Sequence, residues 1–189
     1  MKLVISASPH ISSGATTRKI MGDVLIALCP ALIAAIVIFG WRALLVTAVC
    51  AAACVFFEWG FEKLCHKEST IGDLSAVVTG VILAYNLPVS IPLWQAVFGC
   101  LVAIVAVKQL FGGIGDNFLN PALTARAVLL ASWPALMTTH CTPFDAVTSA
   151  TPLMTGEAST MQLLLGDVPG AIGETCKVAI LLGFVYLLV

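Results

Sequence analysis

The sequence predicts an all-α, polytopic membrane protein with about six transmembrane helices. Of its 189 residues, 60% are apolar and only 10% are charged, and the mean hydropathy is +1.05. Several apolar runs approach the roughly 20 residues that cross a hydrocarbon core of about 30 Å as a helix. Helices are expected because a chain in lipid must satisfy its own backbone hydrogen bonds. The net charge of −1 gives no indication of nucleic-acid binding.

Five predicted spans precede a polar loop and one follows it. They cover residues 20–40, 43–61, 74–87, 93–111, 121–134 and 171–189. The chain is thus divided into a tail (1–19), a five-span region (20–134), a loop (135–170) and a sixth span (171–189). The fifth span begins at Asn120-Pro121, like the half-helices of repeat-built transporters. Because the sequence stops inside an apolar run, we expect it to be either the N-terminal portion of a longer protein with a repeat-built bundle or a shortened member of its protein family.

The basic residues orient these spans by the positive-inside rule. If the spans alternate, one side receives Lys2, Arg18, Lys19, Lys63, Lys67 and Lys108. Only Arg42 falls clearly on the other side. The N-terminus is therefore predicted to be cytoplasmic, and the loop 135–170, which has no Lys or Arg, is predicted to lie on the outer face. A fifth span that dipped in and returned would reverse this parity.

The remaining polar and aromatic residues near span ends are assigned to the membrane interface. Solvated positions are predicted for Asp23, Glu58, Asp73 and Asp116. An aromatic belt is predicted from Trp41, Trp59, Trp94 and Trp133. The seven cysteines form no C-x-x-C pair. Cys50 and Cys54 lie one helical turn apart and could supply half a metal site, but packing between helices is the favoured interpretation. No metal site and no catalytic residue are predicted.

The loop contains the run Asp145-Ala-Val-Thr-Ser-Ala-Thr-Pro152. Its small residues are Thr148, Ser149 and Ala150. Pro152 biases Thr151 towards extended geometry, so Thr151 offers an accessible hydroxyl. Because Pro also favours the first helical position, Thr151 is a candidate N-cap, with an attached phosphate at a helix N-terminus. The alternative is an ordinary Ser/Thr-rich loop with a capping threonine.

This run resembles the attachment motif D-x-x-(S/T)-(S/G)-A-T of the RnfD and NqrB family of membrane flavoproteins, whose last threonine carries FMN through a phosphoester. Four further stretches resemble RnfD: residues 8–10, 17–28, 112–117 and 120–123. The resemblance implies covalent FMN on Thr151, with a site formed by Asp145, Thr148, Ser149 and Ala150. It also allows for a second, non-covalent flavin, to which no residues are assigned.

The same resemblance implies a subunit of an ion-translocating ferredoxin:NAD oxidoreductase (Rnf) complex in a prokaryotic plasma membrane. Such a subunit takes electrons from a neighbouring flavin-carrying subunit, has no complete active site of its own and belongs to a complex that moves Na⁺ or H⁺. A threonine hydroxyl is a poor nucleophile without a neighbouring base, and His140 is the only histidine near Thr151 in sequence. Self-catalysed attachment is therefore not expected, and a separate flavin transferase is. The chain has neither an iron–sulfur cysteine cluster nor a G-x-G-x-x-G unit. The alternative is a solute channel or transporter without a redox cofactor.

Two further residues carry predictions. Ser13-Gly-Ala-Thr16 matches the short form of the motif, but it lacks the upstream aspartate and lies on the predicted cytoplasmic side. Thr16 or Thr17 is therefore expected to cap the first helix. Arg126 is the one arginine placed within a span, where a charge usually faces a cavity or a partner. It is a candidate for neutralising a flavin phosphate or a reduced flavin, and the alternatives are snorkelling or pairing with Asp116.

Overall fold

The computed structural model describes residues 14–67, 69–144, 148–149 and 159–188, and these are mostly helical. The helices are α1 (Thr17–Phe39), α2 (Trp41–Leu64), α3 (Ser75–Tyr85), α4 (Leu93–Gln109), α5 (Pro121–Ser132), α6 (Pro134–Thr138), α7 (Thr160–Leu165) and α8 (Lys177–Leu188). A 3₁₀ turn at Ile71–Asp73 precedes α3. Strands β1 (His140–Cys141) and β2 (Thr148–Ser149) form an antiparallel ribbon.

Helices α1 and α2 are long and apolar enough to cross a membrane, with 23 and 24 residues. Helices α3, α4, α5 and α8 are apolar but shorter. This composition agrees with the predicted helical membrane protein, while the number of spans stays a prediction. The second half of α4, Val102–Gln109, is π-helical. The π-helix is rare in proteins, and where it occurs it is often found at functional sites.

The helix boundaries follow local sequence signals. Thr16 is the N-cap of α1, and its hydroxyl accepts a hydrogen bond from the Lys19 backbone N–H at 3.3 Å, which confirms the predicted cap. Gly40 has φ +74° and donates its N–H to the Ile36 carbonyl at 2.9 Å. Such a left-handed residue suits glycine at a helix end, and α2 begins at the next residue. Asn120 caps α5 through the N–H groups of Ala122 and Leu123.

The last helix begins at Lys177, six residues after the predicted start of the sixth span at Ala171. Residues before it dock by backbone hydrogen bonds onto the end of α3. The Ile172 N–H donates to the Leu87 carbonyl at 3.1 Å, and the Gly173 N–H donates to the Tyr85 carbonyl at 3.0 Å. These bonds commit the segment to a non-helical path.

Small residues let the helices approach closely, as is typical of membrane bundles. Helix α2 packs against α3 and α4, and α1 packs against α8. A Cβ added at Gly80 of α3 would lie 2.7 Å from the Ala51 Cα of α2. Cys50, Cys54 and Cys100 are fully buried in the same core. The packing interpretation of Cys50 and Cys54 therefore agrees with the structure.

Two ends of the bundle can be distinguished by their contacts. At the first, which we call the ribbon end, the Gly40 turn, residues 88–91 and strand β1 meet. Helix α5 reaches this end, because Trp133 contacts Trp94 at the start of α4 with ring centroids 5.3 Å apart. At the opposite end, which we call the carboxylate end, the Lys67 Nζ donates to the Gln109 carbonyl at 3.1 Å. Helix α5 therefore runs antiparallel to α4, and whether it crosses the membrane stays a prediction.

Candidate functional site

The predicted flavin-attachment motif lies only partly within the described chain. Asp145, Ala150 and Thr151 fall outside the described residues, so their roles stay predictions. The backbone at Thr148–Ser149 is described and forms β2. In the ribbon, Cys141 is opposite Thr148 and His140 is opposite Ser149. The chain is thus fixed on a β-ribbon two residues before Thr151.

Three hydrogen bonds hold this region at the ribbon end. The Ser90 Oγ donates to the Thr139 carbonyl at 3.0 Å, just before β1. The Phe144 backbone N–H donates to the Ile38 carbonyl at 3.2 Å, near the end of α1. The Arg42 Nε donates to the Val89 carbonyl at 2.9 Å. The start of the predicted flavin loop therefore packs against the turn between α1 and α2.

A cavity of about 560 Å³ opens between these segments. Its apolar walls come from the end of α1 and from the loops, and its lining includes Val37, Ile38, Phe39, Val89 and Phe144. Its polar lining includes Arg42, Ser90, Cys141 and Thr142. The volume falls within the roughly 300–1,000 Å³ typical of small-ligand sites, which combine apolar walls with a few polar groups.

Arg42 is the cationic side chain of this cavity. Its Nε and Nη2 donate to the carbonyls of Val89 and Ile91 at 2.9 and 3.3 Å, which fixes the plane of the guanidinium. Within the described ranges, neither a carboxylate nor any other acceptor binds Nη1. Sequence reasoning did not select Arg42, although its position as the exception to the positive-inside pattern was a signal.

His140 lies on the ribbon beside the motif. It is 8% exposed, and its Nδ1 atom is buried with no hydrogen-bond partner in the described part of the chain. A buried polar atom of this kind is uncommon in folded proteins. It belongs to the only histidine near Thr151 in sequence.

Arg126 occupies the middle of α5 and faces the end of α3. Its Nη1 donates to the Asn86 Oδ1 at 2.9 Å. No ion pair joins it to Asp116 among the residues that the structure describes, so the pairing alternative is wrong. Its predicted role towards a flavin stays a prediction.

The prediction that Glu58 is solvated is wrong. Its side chain is fully buried, and Lys108, also predicted to lie at a span end, is 2% exposed. The Lys108 Nζ donates to the Glu58 Oε1 at 2.6 Å and also donates to the Ser75 hydroxyl. The Gln109 Nε2 reaches the same Glu58 oxygen at 2.9 Å. Burial is tolerated because the two charges pair and are hydrogen-bonded.

A second carboxylate extends this network towards the carboxylate end. Glu62 is 3% exposed, and its Oε1 accepts a hydrogen bond from the Thr70 backbone N–H at 3.0 Å. The Thr70 hydroxyl contacts both Glu62 and Glu58. The Oε2 atoms of Glu58 and Glu62 are buried without partners in the described ranges. No group of three or more His, Cys, Asp or Glu residues suited to a metal ion occurs among the described residues.

The other predicted interface residues differ in exposure. Asp73 is partly buried, and its Oδ1 accepts a hydrogen bond from the Ser75 N–H at 2.8 Å. Asp23 is partly buried and Asp116 is exposed. Trp41, Trp59 and Trp94 have 71%, 46% and 59% of their surface exposed, whereas Trp133 is half-buried and packs against Trp94 and Phe98. The aromatic belt stays a prediction.

Comparison with known proteins identifies relatives along the whole chain. The NQR2, RnfD, RnfE family model matches residues 4–189. One relative belongs to the Na(+)-translocating ferredoxin:NAD(+) oxidoreductase complex of Acetobacterium woodii. It is 49% identical over an alignment of 199 residues, gaps included, that covers 100% of this chain and 63% of the relative. Another belongs to the proton-translocating ferredoxin:NAD(+) oxidoreductase complex of Clostridium ljungdahlii, and it is 37% identical over 203 residues, with 97% and 61% covered.

A third relative belongs to an ion-translocating oxidoreductase complex of Rhodobacter capsulatus. It is 35% identical over 229 residues, which cover 97% of this chain and 62% of the relative. All three relatives are single subunits of their complexes. The chain spans between 61% and 63% of the length of these three relatives.

Proposed function

Because this chain belongs to the NQR2, RnfD, RnfE family, we propose that it is a membrane flavoprotein subunit of an ion-translocating, Rnf-type oxidoreductase complex. The observation that carries this proposal is the family match over residues 4–189, together with the complete motif from Asp145 to Thr151 within it. Two helices long enough to span a membrane support the membrane location.

In this proposal FMN is linked through its phosphate to Thr151. When bound, FMN supplies electron transfer, and the protein supplies attachment, orientation and electrostatics. Asp145, Thr148, Ser149 and Ala150 form the attachment sequence, with small side chains that leave room for a flavin transferase. The β-ribbon pairs Thr148 and Ser149 of this sequence with Cys141 and His140.

The residues present fit an anionic, planar group. The cavity at the ribbon end combines the Arg42 guanidinium with the aromatic side chains of Phe39 and Phe144. Arginine is suited both to hydrogen bonding with anionic oxygens and to stacking on aromatic faces. The described residues therefore offer charge complementarity and apolar surface next to the ribbon.

We place the ribbon end on the outer side of a prokaryotic plasma membrane, with the N-terminus in the cytoplasm. The basic residues support this orientation, because Lys67 and Lys108 contact the carboxylate end. The antiparallel course of α5 supports the alternation of spans on which the orientation depends. An exported flavin transferase would then reach Thr151.

The proposed partners are the other subunits of the complex, one of which delivers electrons from its own flavin. The relatives' names differ in the ion, sodium in one and protons in another, so we propose translocation of Na⁺ or H⁺ by the complex. A second, non-covalent flavin in this subunit stays a proposal without assigned residues.

Attachment is tested by expressing the full-length protein with a flavin transferase and recording flavin fluorescence in a denaturing gel. The wild-type band fluoresces, and Thr151→Ala removes the signal because the phosphoester has no acceptor oxygen. Thr16→Ala is the matched control: it keeps the signal and costs at most about 1 kcal/mol of helix stability through the lost cap. A Thr151→Ala band that still fluoresces would contradict the site. A colourless, non-fluorescent wild-type protein would favour the channel or transporter.

A further inference from the structure

We propose that the cavity at the ribbon end receives the isoalloxazine ring of the flavin, and that Arg42 is the cation that faces the ring. This inference rests on the proposed attachment at Thr151 and adds the location of the redox-active ring, which the attachment motif leaves open. The cavity walls come from described residues of α1, α2 and the loops at 89–90 and 141–144.

Chain connectivity brings the tether within reach of the cavity. Cys141 lines the cavity and is paired in the ribbon with Thr148. Thr151 is three residues further on, and three residues extend over at most about 11 Å. The ribityl phosphate arm of FMN adds further reach. A flavin attached to Thr151 would therefore be within covalent reach of the cavity.

The lining suits a flat ring with apolar faces and a polar edge. Phe144 is 71% exposed and has φ +62°, a backbone conformation that is strained for a non-glycine residue. Its backbone N–H is bonded to α1, which holds this aromatic side chain at the cavity beside Phe39. Strained residues cluster at ligand sites, where the surrounding structure holds them in place. A planar ring inserted here would bury apolar surface against these side chains.

Arg42 is the charged group of the cavity that would face the polar edge of the ring. Two backbone carbonyls fix its guanidinium, and Nη1 has no acceptor within the described ranges. Among those residues no carboxylate pairs with it, and the guanidinium lines the cavity. A cation fixed at this position stabilises an anionic, reduced ring more than a neutral, oxidised one. This role differs from that of Arg126, whose Nη1 is bonded to Asn86.

The first test uses a native cysteine as a reporter. Cys141 lines the cavity, whereas Cys65 is exposed near the carboxylate end. In the purified complex, maleimide labelling of Cys141 is compared between the flavin-loaded wild type and the flavin-free Thr151→Ala variant. We expect labelling of Cys141 at least several-fold slower in the loaded protein, with Cys65 labelled equally in both. Equal rates at Cys141, in protein shown by gel fluorescence to carry flavin, would place the ring elsewhere.

The second test is the midpoint potential of the covalent flavin in Arg42→Gln, with Arg42→Lys as the charge-conserving control. A unit charge a few ångströms from the ring stabilises its anionic form, by an amount that depends on solvent access. We expect the reduction equilibrium to fall by about tenfold in Arg42→Gln, or roughly 59 mV for a one-electron step. Arg42→Lys should recover much of this shift. An unchanged potential in Arg42→Gln, with flavin attached, overturns the role of Arg42.

The two failures are distinguishable. If gel fluorescence and peptide mass show flavin on Thr151 but neither Cys141 protection nor the Arg42 shift occurs, only the ring location is wrong. If no flavin attaches to Thr151, both the proposed function and this inference fail. If Arg42→Gln does not fold, the cysteine protection still decides the location, because it requires no change at Arg42.

Discussion

The buried ion pair between Glu58 and Lys108 makes the bundle sensitive to single substitutions within it. In Lys108→Met, the Glu58 carboxylate stays fully buried and loses the ammonium that lay 2.6 Å away. Removing one partner of a buried pair costs about 3–5 kcal/mol, because the other charge is left uncompensated. Gln109 retains its hydrogen bond to Glu58, so we expect the lower part of this range.

The double variant Glu58→Gln/Lys108→Met distinguishes charge burial from loss of packing. Because it buries no unpaired charge, it should be more stable than Lys108→Met alone by at least about 1 kcal/mol, consistent with replacements of buried pairs by uncharged residues. The coupling between the two positions is the quantity that a double-mutant cycle measures.

Thermal unfolding of the purified protein in detergent, followed by tryptophan fluorescence, measures these effects. For a cost of about 3–4 kcal/mol, at 2–4 °C per kcal/mol for a domain of this size, Lys108→Met should lower Tm by roughly 6–16 °C. Lys63→Met is the control, because Lys63 is an exposed residue whose Nζ lies 5.0 Å from the Trp59 ring centroid, and its loss should cost at most about 1 kcal/mol. A Lys108→Met protein that melts with the wild type would refute the reasoning.

Three further predictions follow from the same structure. In intact cells expressing the flavin-free Thr151→Ala variant, an impermeant maleimide should label Cys141 and spare Cys65 when the other cysteines are removed; the reverse pattern contradicts the orientation. Arg126→Leu should make the covalent flavin harder to reduce, by less than Arg42→Gln does, and an unchanged midpoint potential in spectroelectrochemical titration would leave Arg126 a structural role. Gly80→Ala should lower Tm, because its Cβ would lie 2.7 Å from helix α2 backbone, whereas Gly60→Ala, with nothing within 4 Å, should leave Tm unchanged or raise it.

Local signals allowed the helices and their starts to be predicted well. Apolar runs identify α1 and α2, and the capping residues Thr16 and Asn120 mark helix starts in the sequence as they do in the structure. These features depend on interactions within four residues, which single-sequence patterns encode. The start of α8 was harder to place, because its preceding residues are held by distant carbonyls at 85 and 87.

The buried carboxylates depend on contacts that the linear sequence only partly indicates. Cys50, Cys54, Glu58 and Glu62 are spaced four residues apart and therefore share one face of α2. Extending the cysteine pair to this stripe would have indicated that Glu58 faces the core. Its partner Lys108 comes from α4, 50 residues away, and such a long-range pair has no local signature.

The candidate site also combines a feature with a local sequence signal and a feature that depends on long-range contacts. The motif ending at Thr151 is readable because attachment needs a particular short sequence. The cavity cannot be predicted from the sequence, because Arg42, Ser90 and Phe144 come from three separate segments. The fold brings them together through backbone carbonyls of residues 38, 89, 91 and 139. Carbonyl acceptors are present at every residue, so the sequence does not reveal which of them will be used.

The most direct test of covalent flavin attachment is mass spectrometry of the loop peptide from protein produced with a flavin transferase. Chymotryptic cleavage after Phe144 and Leu153 releases residues 145–153, which contain the whole motif. We predict a peptide heavier by FMN less one water, with fragment ions that place the added mass on Thr151 rather than on Thr148 or Ser149. An unmodified peptide from protein that carries covalent flavin at another residue would contradict the site at Thr151, and protein that carries no covalent flavin would contradict the proposed function.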